Sequence, residues 1–217
     1  MKRAATASGG WEIPEGDTYF APLLKADPRG FEIAHLEEAL KHCRRFRSAV
    51  DGGAHIGTWS AWLAQRFERV VAYEPAEDTW ACCSRNLKLY RNAVAVQCAL
   101  GEAYGVAQMS DDAKRPGNTG ARFLAQGGGI EVRPLDREEI HDLDFLKLDL
   151  EGYEYYALRG AEKTLRRCRP VVVIEEKKGM AERFRLKHGE ASAYLAHLGA
   201  REAARIRNDV VFTFPDA

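Results

Sequence analysis

The chain has no surplus of charge: 32 basic residues stand against 32 acidic ones over 217 residues, a formal net charge of zero. That balance argues against strong non-specific binding to nucleic acid, which needs a basic footprint, although it leaves room for a local basic face. Cysteine is scarce. The five present, Cys43, Cys82, Cys83, Cys98 and Cys168, make no Cys-x-x-Cys pair and no Cys/His metal spacing, so no metal is expected. Free thiols in a reducing compartment are the simplest reading. No run approaches the length of a membrane span. Residues 1–10 are small and polar, read as a mobile tail, and lack the apolar segment of a signal peptide. These absences point to a cytoplasmic protein with no membrane partner. The remaining composition, 46% hydrophobic and 29% charged, is ordinary for a globular protein of one domain with a sizeable core.

One further absence is informative. Val50-Asp51-Gly52-Gly53-Ala54-His55-Ile56-Gly57-Thr58 has the form strand, glycine-rich turn, helix. Such a turn lets backbone approach a ligand, and the helix start offers unpaired N–H groups. A dinucleotide fingerprint, Gly-x-Gly-x-x-Gly placed on Gly52 and Gly57, needs glycine at 54, where this chain has Ala54. Asp51 beside the turn would repel a pyrophosphate and attract an ammonium. S-adenosylmethionine carries an ammonium, a sulfonium and no phosphate, so it fits better than NAD. Val70-Val71-Ala72-Tyr73-Glu74-Pro75 reads as the next strand, ending in a carboxylate able to accept both ribose hydroxyls. The competing reading of Glu74 is a solvated strand-end acid.

The rest follows an alternating pattern. Apolar positions Ile33, Leu36, Ala39, Leu40 and Cys43 recur at helical spacing before the first strand, and Lys41 to Arg47 form a basic tail read as cations at a helix C-terminus. Helices are expected over 58–67, from Pro75 to about Tyr90, and after Gly152 with Leu158, Ala161 and Leu165 on one face. Strands are expected at 93–98, 143–148 and 171–175. Residues 101–134 break the rhythm and read as a β-rich insertion, with Gly127-Gly128-Gly129 as a loop. A helix carrying Ala191, Tyr194, Leu195 and Leu198, closed by Gly199, leads to a terminal antiparallel hairpin. The expected class is α/β: a mostly parallel sheet with a C-terminal antiparallel hairpin and a β-rich insertion before the fourth strand. Ligands in such sheets bind at the carboxyl ends of the strands, which places Ala99 and Leu100 near an adenine.

The motifs are more specific than the pattern. Val50–Gly57 is similar to the glycine loop of the FkbM family of methyltransferases. Tyr73-Glu74-Pro75 with Asn86-Leu87 resembles its second segment. Lys147-Leu148-Asp149-Leu150-Glu151-Gly152-Tyr153-Glu154, then Leu158-Arg159-Gly160-Ala161, resembles its long signature. The resemblance covers about residues 46 to 214. It implies the class I S-adenosylmethionine-dependent methyltransferase fold, with a Rossmann-like sheet, and O-methylation of hydroxyls on sugars, glycans or other small molecules, releasing S-adenosylhomocysteine. It implies that Asp51, Gly53 and Gly57 line the methionine side of the cofactor, that Glu74 holds the ribose, and that Asp149 sits near the methyl group. Gly52 and His55 depart from the family loop. Residues 1–45 lie outside it, as a tail and helical cap on a domain of residues 46–217.

Methyl transfer to a hydroxyl requires alignment and a base. Asp149, His55 and Glu175, all near strand ends, are the candidates. Asp149 is the first choice, with binding of the cofactor's amino group as its alternative role. Gly52, His55 and Pro75 complete the expected cofactor contacts. Glu151 reads as a loop-organising acid, since an Asp-x-Glu pair alone is thin evidence for Mg²⁺. Residues 163–187 hold nine basic side chains against three acidic, which keeps open a nucleic-acid or phosphorylated acceptor. A cofactor-binding module without turnover is the other alternative.

Overall fold

The computed structural model describes residues 4–6 and 10–215. In chain order its strands are β1 (Ala4–Thr6), β2 (Glu12–Pro14), β3 (Ser48–Gly52), β4 (Arg69–Tyr73), β5 (Ala93–Val96), β6 (Ala99–Leu100), β7 (Gly105–Ser110), β8 (Phe123–Arg133), β9 (Leu143–Leu148), β10 (Val171–Glu175), β11 (Arg201–Ile206) and β12 (Asp209–Thr213). The helices are α1 (Phe20–Ala26), α2 (Ile33–Leu40), α3 (Thr58–Leu63), α4 (Glu77–Asn86), α5 (Glu154–Arg159), α6 (Glu162–Cys168) and α7 (Glu190–His197).

Seven strands form the central sheet in the order β11-β12-β10-β9-β3-β4-β5. β3, β4, β5, β9 and β10 run parallel, and β12 returns antiparallel to β10 and β11. The inner strands are buried on both faces, so they read as unbroken apolar runs such as Val171–Ile174. Successive side chains serve opposite layers. Leu146, Leu148, Val172 and Ile174 pack with Leu158, Leu165 and Leu195 on one face. Phe145, Val171 and Val173 pack with Leu36, Trp59 and Leu63 on the other.

The expected fold class is what the structure has. β6, β7 and β8 make the insertion's own three-stranded sheet. Four details differ from the sequence reading. Gly127–Gly129 belong to β8, where the register jumps from Ala107–Ile130 to Gln108–Ala125 and the glycines supply the bulge. The helix expected after Gly152 is two helices, broken at Gly160, where a Cβ would stand 1.9 Å from the Gly101 carbonyl oxygen. Ala4–Thr6, read as part of a mobile tail, pairs with Glu12–Pro14, while residues 1–3 and 7–9 lie outside the described residues. Ala99 and Leu100 start the second sheet rather than a free turn.

The strand order reverses beside β3. The chain runs from β3 outward to β4 and β5, then crosses to β9 on β3's other side. Such a reversal opens a crevice at the carboxyl ends of the strands, where α/β sheets bind ligands. Residues 17–33 close this crevice on one side, with Phe20 and Leu24 buried against the domain.

Candidate active site

A cavity of about 330 Å³ occupies that crevice. The glycine-rich turn forms its floor and is built by backbone. Gly53 and Ala54 both donate N–H bonds to the Tyr73 carbonyl, at 2.9 and 3.1 Å. Gly53 has φ of 71°, and a Cβ there would lie 1.9 Å from the Asp149 carbonyl oxygen, so only glycine lets the turn meet the end of β9. Gly57 caps α3 at φ 85°.

Lys147 ties the floor together. On β9 it stands in register with Asp51 on β3. Its buried Nζ donates to the Gly53 carbonyl oxygen at 2.8 Å and lies 3.2 Å from Asp51 Oδ1 and 3.7 Å from Asp149 Oδ2. It also sits 5.7 Å from the centre of the Trp59 ring. Burial works against its charge, but Asp51 and Asp149 outweigh burial and hold the ammonium protonated beyond the ordinary lysine range. Asp51, the expected contact for a ligand's ammonium, does not line the cavity. It is fully buried, accepts a bond from Ser60 Oγ at 2.6 Å, and is matched by the protein's own ammonium. Gly52 and Gly57 likewise stand behind the wall: Gly52 packs under Leu148 and Leu100, and Gly57 against Cys83.

Gly53, His55, Glu74, Pro75, Ala99, Leu100, Asp149 and Glu175 all line the cavity. Glu74 is anchored by three protein donors: His55 N at 2.8 Å, Ala76 N at 3.0 Å and Thr79 Oγ1 at 2.8 Å. A carboxylate offers about four acceptor sites, so about one remains for a ligand hydroxyl rather than the two expected. Burial raises the Glu74 carboxyl to about 7, against the pull of those three donors. His55 is held in a left-handed turn, φ 53°, with its ring 4.1 Å from that of Phe20. Thr119 gives its hydroxyl hydrogen to Asp17, so its oxygen accepts from His55 Nε2 at 2.7 Å, and Nδ1 is left bare. Burial lowers the imidazole to about 4, so His55 is neutral at pH 7.

Asp149 and Glu175 form the acidic side. Burial disfavours charge on Asp149, but the ammonium groups of Lys147 and Lys177 prevail and hold its carboxyl below the usual range. Burial and the neighbouring Asp149 push Glu175 well above it, so the proton of the pair resides on Glu175. Lys177 Nζ lies 2.7 Å from Glu175. Glu151 approaches the same pair, yet it is already clamped by both arms of Arg115, at 3.1 and 2.7 Å. His141 is exposed, away from the cavity.

Sequence reasoning missed several lining groups. Glu32, Asp209, Lys147, Lys177, Arg115 and the ring of Phe31 all reach the cavity. Lys147 opens the Lys147–Glu154 signature and Asp209 lies in the terminal hairpin, but only strand register shows where their side chains go. Asp209 is bonded to His35 Nδ1 at 2.6 Å. Glu32, at φ 56°, comes from the segment ahead of the recognised pattern.

Residues 51–202 match the model of the Methyltransferase FkbM domain. Methyltransferase 1 of Beauveria bassiana (strain ARSEF 2860) is 25% identical over 145 residues, 52% of this chain and 57% of that protein. The chain thus spans little more than half the length of the curated relatives it matches. In fold it is similar to methyltransferase FkbM from Methylobacillus flagellatus KT, with TM-score 0.50 and 22% identity over 78% of this chain and 44% of that one. It is also similar to the N-methyltransferase NodS from Bradyrhizobium japonicum WM9, solved with S-adenosyl-L-homocysteine, with TM-score 0.55 and 10% identity over 93% and 95% of the two chains.

Proposed function

This chain belongs to the FkbM methyltransferase domain family, and on that premise we propose that it is an S-adenosylmethionine-dependent methyltransferase acting on a hydroxyl of a sugar, glycan or other small molecule. The observation that carries the reading is Asp149: ionised between two lysines, one-third exposed, and set in the cavity at the strand-order reversal.

The donor set fits the cofactor. Glu74 offers a carboxylate for the ribose, and Ala99, Leu100 and Met109 an apolar wall for adenine. When bound, S-adenosylmethionine supplies the methyl group. Cofactor contacts cluster over β3, β4 and β6. The ends of β9, β10 and β12 leave Asp149, Glu175 and Asp209, with Glu32, for the acceptor. Several carboxyl groups beside the rings of Tyr19, Phe20, Phe31 and Phe123 suit a polyhydroxylated acceptor. Hydroxyls donate to the acids, while C–H faces pack on rings. Asp149 would accept the proton of the acceptor hydroxyl at its carboxylate oxygen. Glu175 holds the neighbouring proton. Lys147 keeps Asp149 charged and the glycine turn in place. His55 packs on the Phe20 ring. The described part of residues 1–45 acts as a cap over the described part of the domain of residues 46–217. Among the described residues no helix is long and apolar enough to cross a membrane.

The test is calorimetric titration with S-adenosylmethionine and S-adenosylhomocysteine, followed by transfer of labelled methyl to a panel of sugars. Micromolar binding and label on a sugar oxygen are expected. Absence of binding to either compound refutes the assignment, and label on nitrogen refutes the hydroxyl acceptor.

A further inference from the structure

The opposite end of the sheet carries a second cleft, of about 500 Å³. It is formed by the residues that lead into β3, β9 and β10, so the length of a strand separates it from the cavity. At roughly 3.3 Å per residue a five-residue strand is about 17 Å long, which makes the cleft a separate site. Two basic stretches far apart in sequence meet there. Lys41, His42, Arg44 and Arg45 line it from one stretch and Arg167 and Arg169 from the other, and among the described residues Asp144 is the one acidic residue lining it. The run at 163–187 is therefore not one face: Lys177 and Arg183 turn toward the cavity end, to Glu175 and Asp112, while Arg167 and Arg169 turn here.

The bland account is that cations collect at helix C-termini, and α2 and α6 both end at this cleft. Each end contributes about half a negative charge, so the two offset about one cation. Asp144 is taken by Arg47 at 2.6 Å, and Lys41 is paired with Glu38. Arg45 reaches Asp144 only at 3.7 Å. Arg167 donates to the Ile140 carbonyl oxygen and the Thr164 hydroxyl, and Arg169 to the Pro215 carbonyl oxygen. Neither guanidinium meets a carboxylate among the described residues. With one of these three arginines set against the helix ends, about two positive charges stay unmatched among the described residues. This occurs in a chain whose formal charges sum to zero.

Guanidinium groups bind phosphate oxygens through paired, planar N–H donors. Arginines from two distant stretches lining one cleft suit a compact anion held within it. We propose that this cleft binds a ligand carrying two or more adjacent phosphates, such as inorganic triphosphate or the triphosphate of a nucleotide.

The experiment is calorimetric titration of the full chain, saturated with S-adenosylhomocysteine so that adenine cannot enter the cavity, first with sodium triphosphate and then with ATP in 50 mM salt. Both are expected to bind, and a rise to 200 mM salt should weaken them at least tenfold. Equal affinities identify free polyphosphate as sufficient, and tighter binding of ATP identifies the nucleotide as the source. The Arg167→Ala/Arg169→Gly variant alters two exposed side chains, and glycine suits the left-handed φ of 50° at 169. It should bind triphosphate at least tenfold more weakly, with unchanged melting temperature and S-adenosylhomocysteine affinity. Arg45→Ala should weaken binding in the same direction. Lack of binding by triphosphate, or affinity unchanged in both variants, overturns the proposal without touching the methyltransferase reading.

Discussion

Replacing Lys147 by methionine tests how the glycine turn is held. Methionine keeps the buried stem and removes the ammonium. Asp51, fully buried, then loses its cation and keeps only the Ser60 hydroxyl, and the Gly53 carbonyl oxygen loses its donor. Breaking one half of a buried pair costs about 3–5 kcal/mol, because the remaining charge is stranded. For a chain of this size each kcal/mol shifts the melting temperature by about 2–4 °C, so a fall of about 6–20 °C is expected by scanning calorimetry. The double variant Asp51→Asn/Lys147→Met removes both charges and should recover more than half the loss. A single variant within 2 °C of wild type, or a double variant no better than the single, would refute the argument.

Other outcomes follow from the same geometry. Asp149→Asn should lower methyl transfer by about 10²–10⁴-fold, the scale of losing a positioned base, while S-adenosylhomocysteine affinity changes only a few-fold. Radiometric turnover within tenfold of wild type would remove Asp149 from the role of base. Glu74, raised to about 7 by burial, gains its charge as pH rises, so S-adenosylhomocysteine should bind more tightly at pH 8 than at pH 6. Glu74→Gln should flatten that profile in calorimetry. Gly53→Ala must force a Cβ toward the Asp149 carbonyl oxygen from a left-handed backbone, and should cost at least about 2 kcal/mol in denaturant unfolding. An alanine variant as stable as wild type would show that the turn and β9 do not meet as described.

Much of the layout was legible because it rests on local signals. Unbroken β-branched runs mark strands buried on both faces, apolar residues three and four apart mark helices, and a glycine turn marks a crossover from strand to helix. Those signals gave the parallel sheet, the terminal hairpin and the places of Glu74, Asp149 and Glu175 at strand ends. They failed where one segment's conformation depends on another's backbone. Gly160 breaks a helix because the Gly101 carbonyl passes close by, and Gly127–Gly129 stay in a strand because β7 pairs on both sides of the bulge.

Sequence by itself determined the fold class, the family and the identity of the loop, because periodicity and motif spacing are properties of a single stretch. Only the tertiary structure decided what the charges do. Asp51 and Lys147 lie 96 positions apart, yet register on neighbouring strands turns an expected ligand contact into an internal pair. The same packing makes His55 neutral, puts the shared proton on Glu175, and gathers arginines from two distant helix ends into one cleft. Electrostatics depends on distance and burial, and both are set by which strands lie side by side.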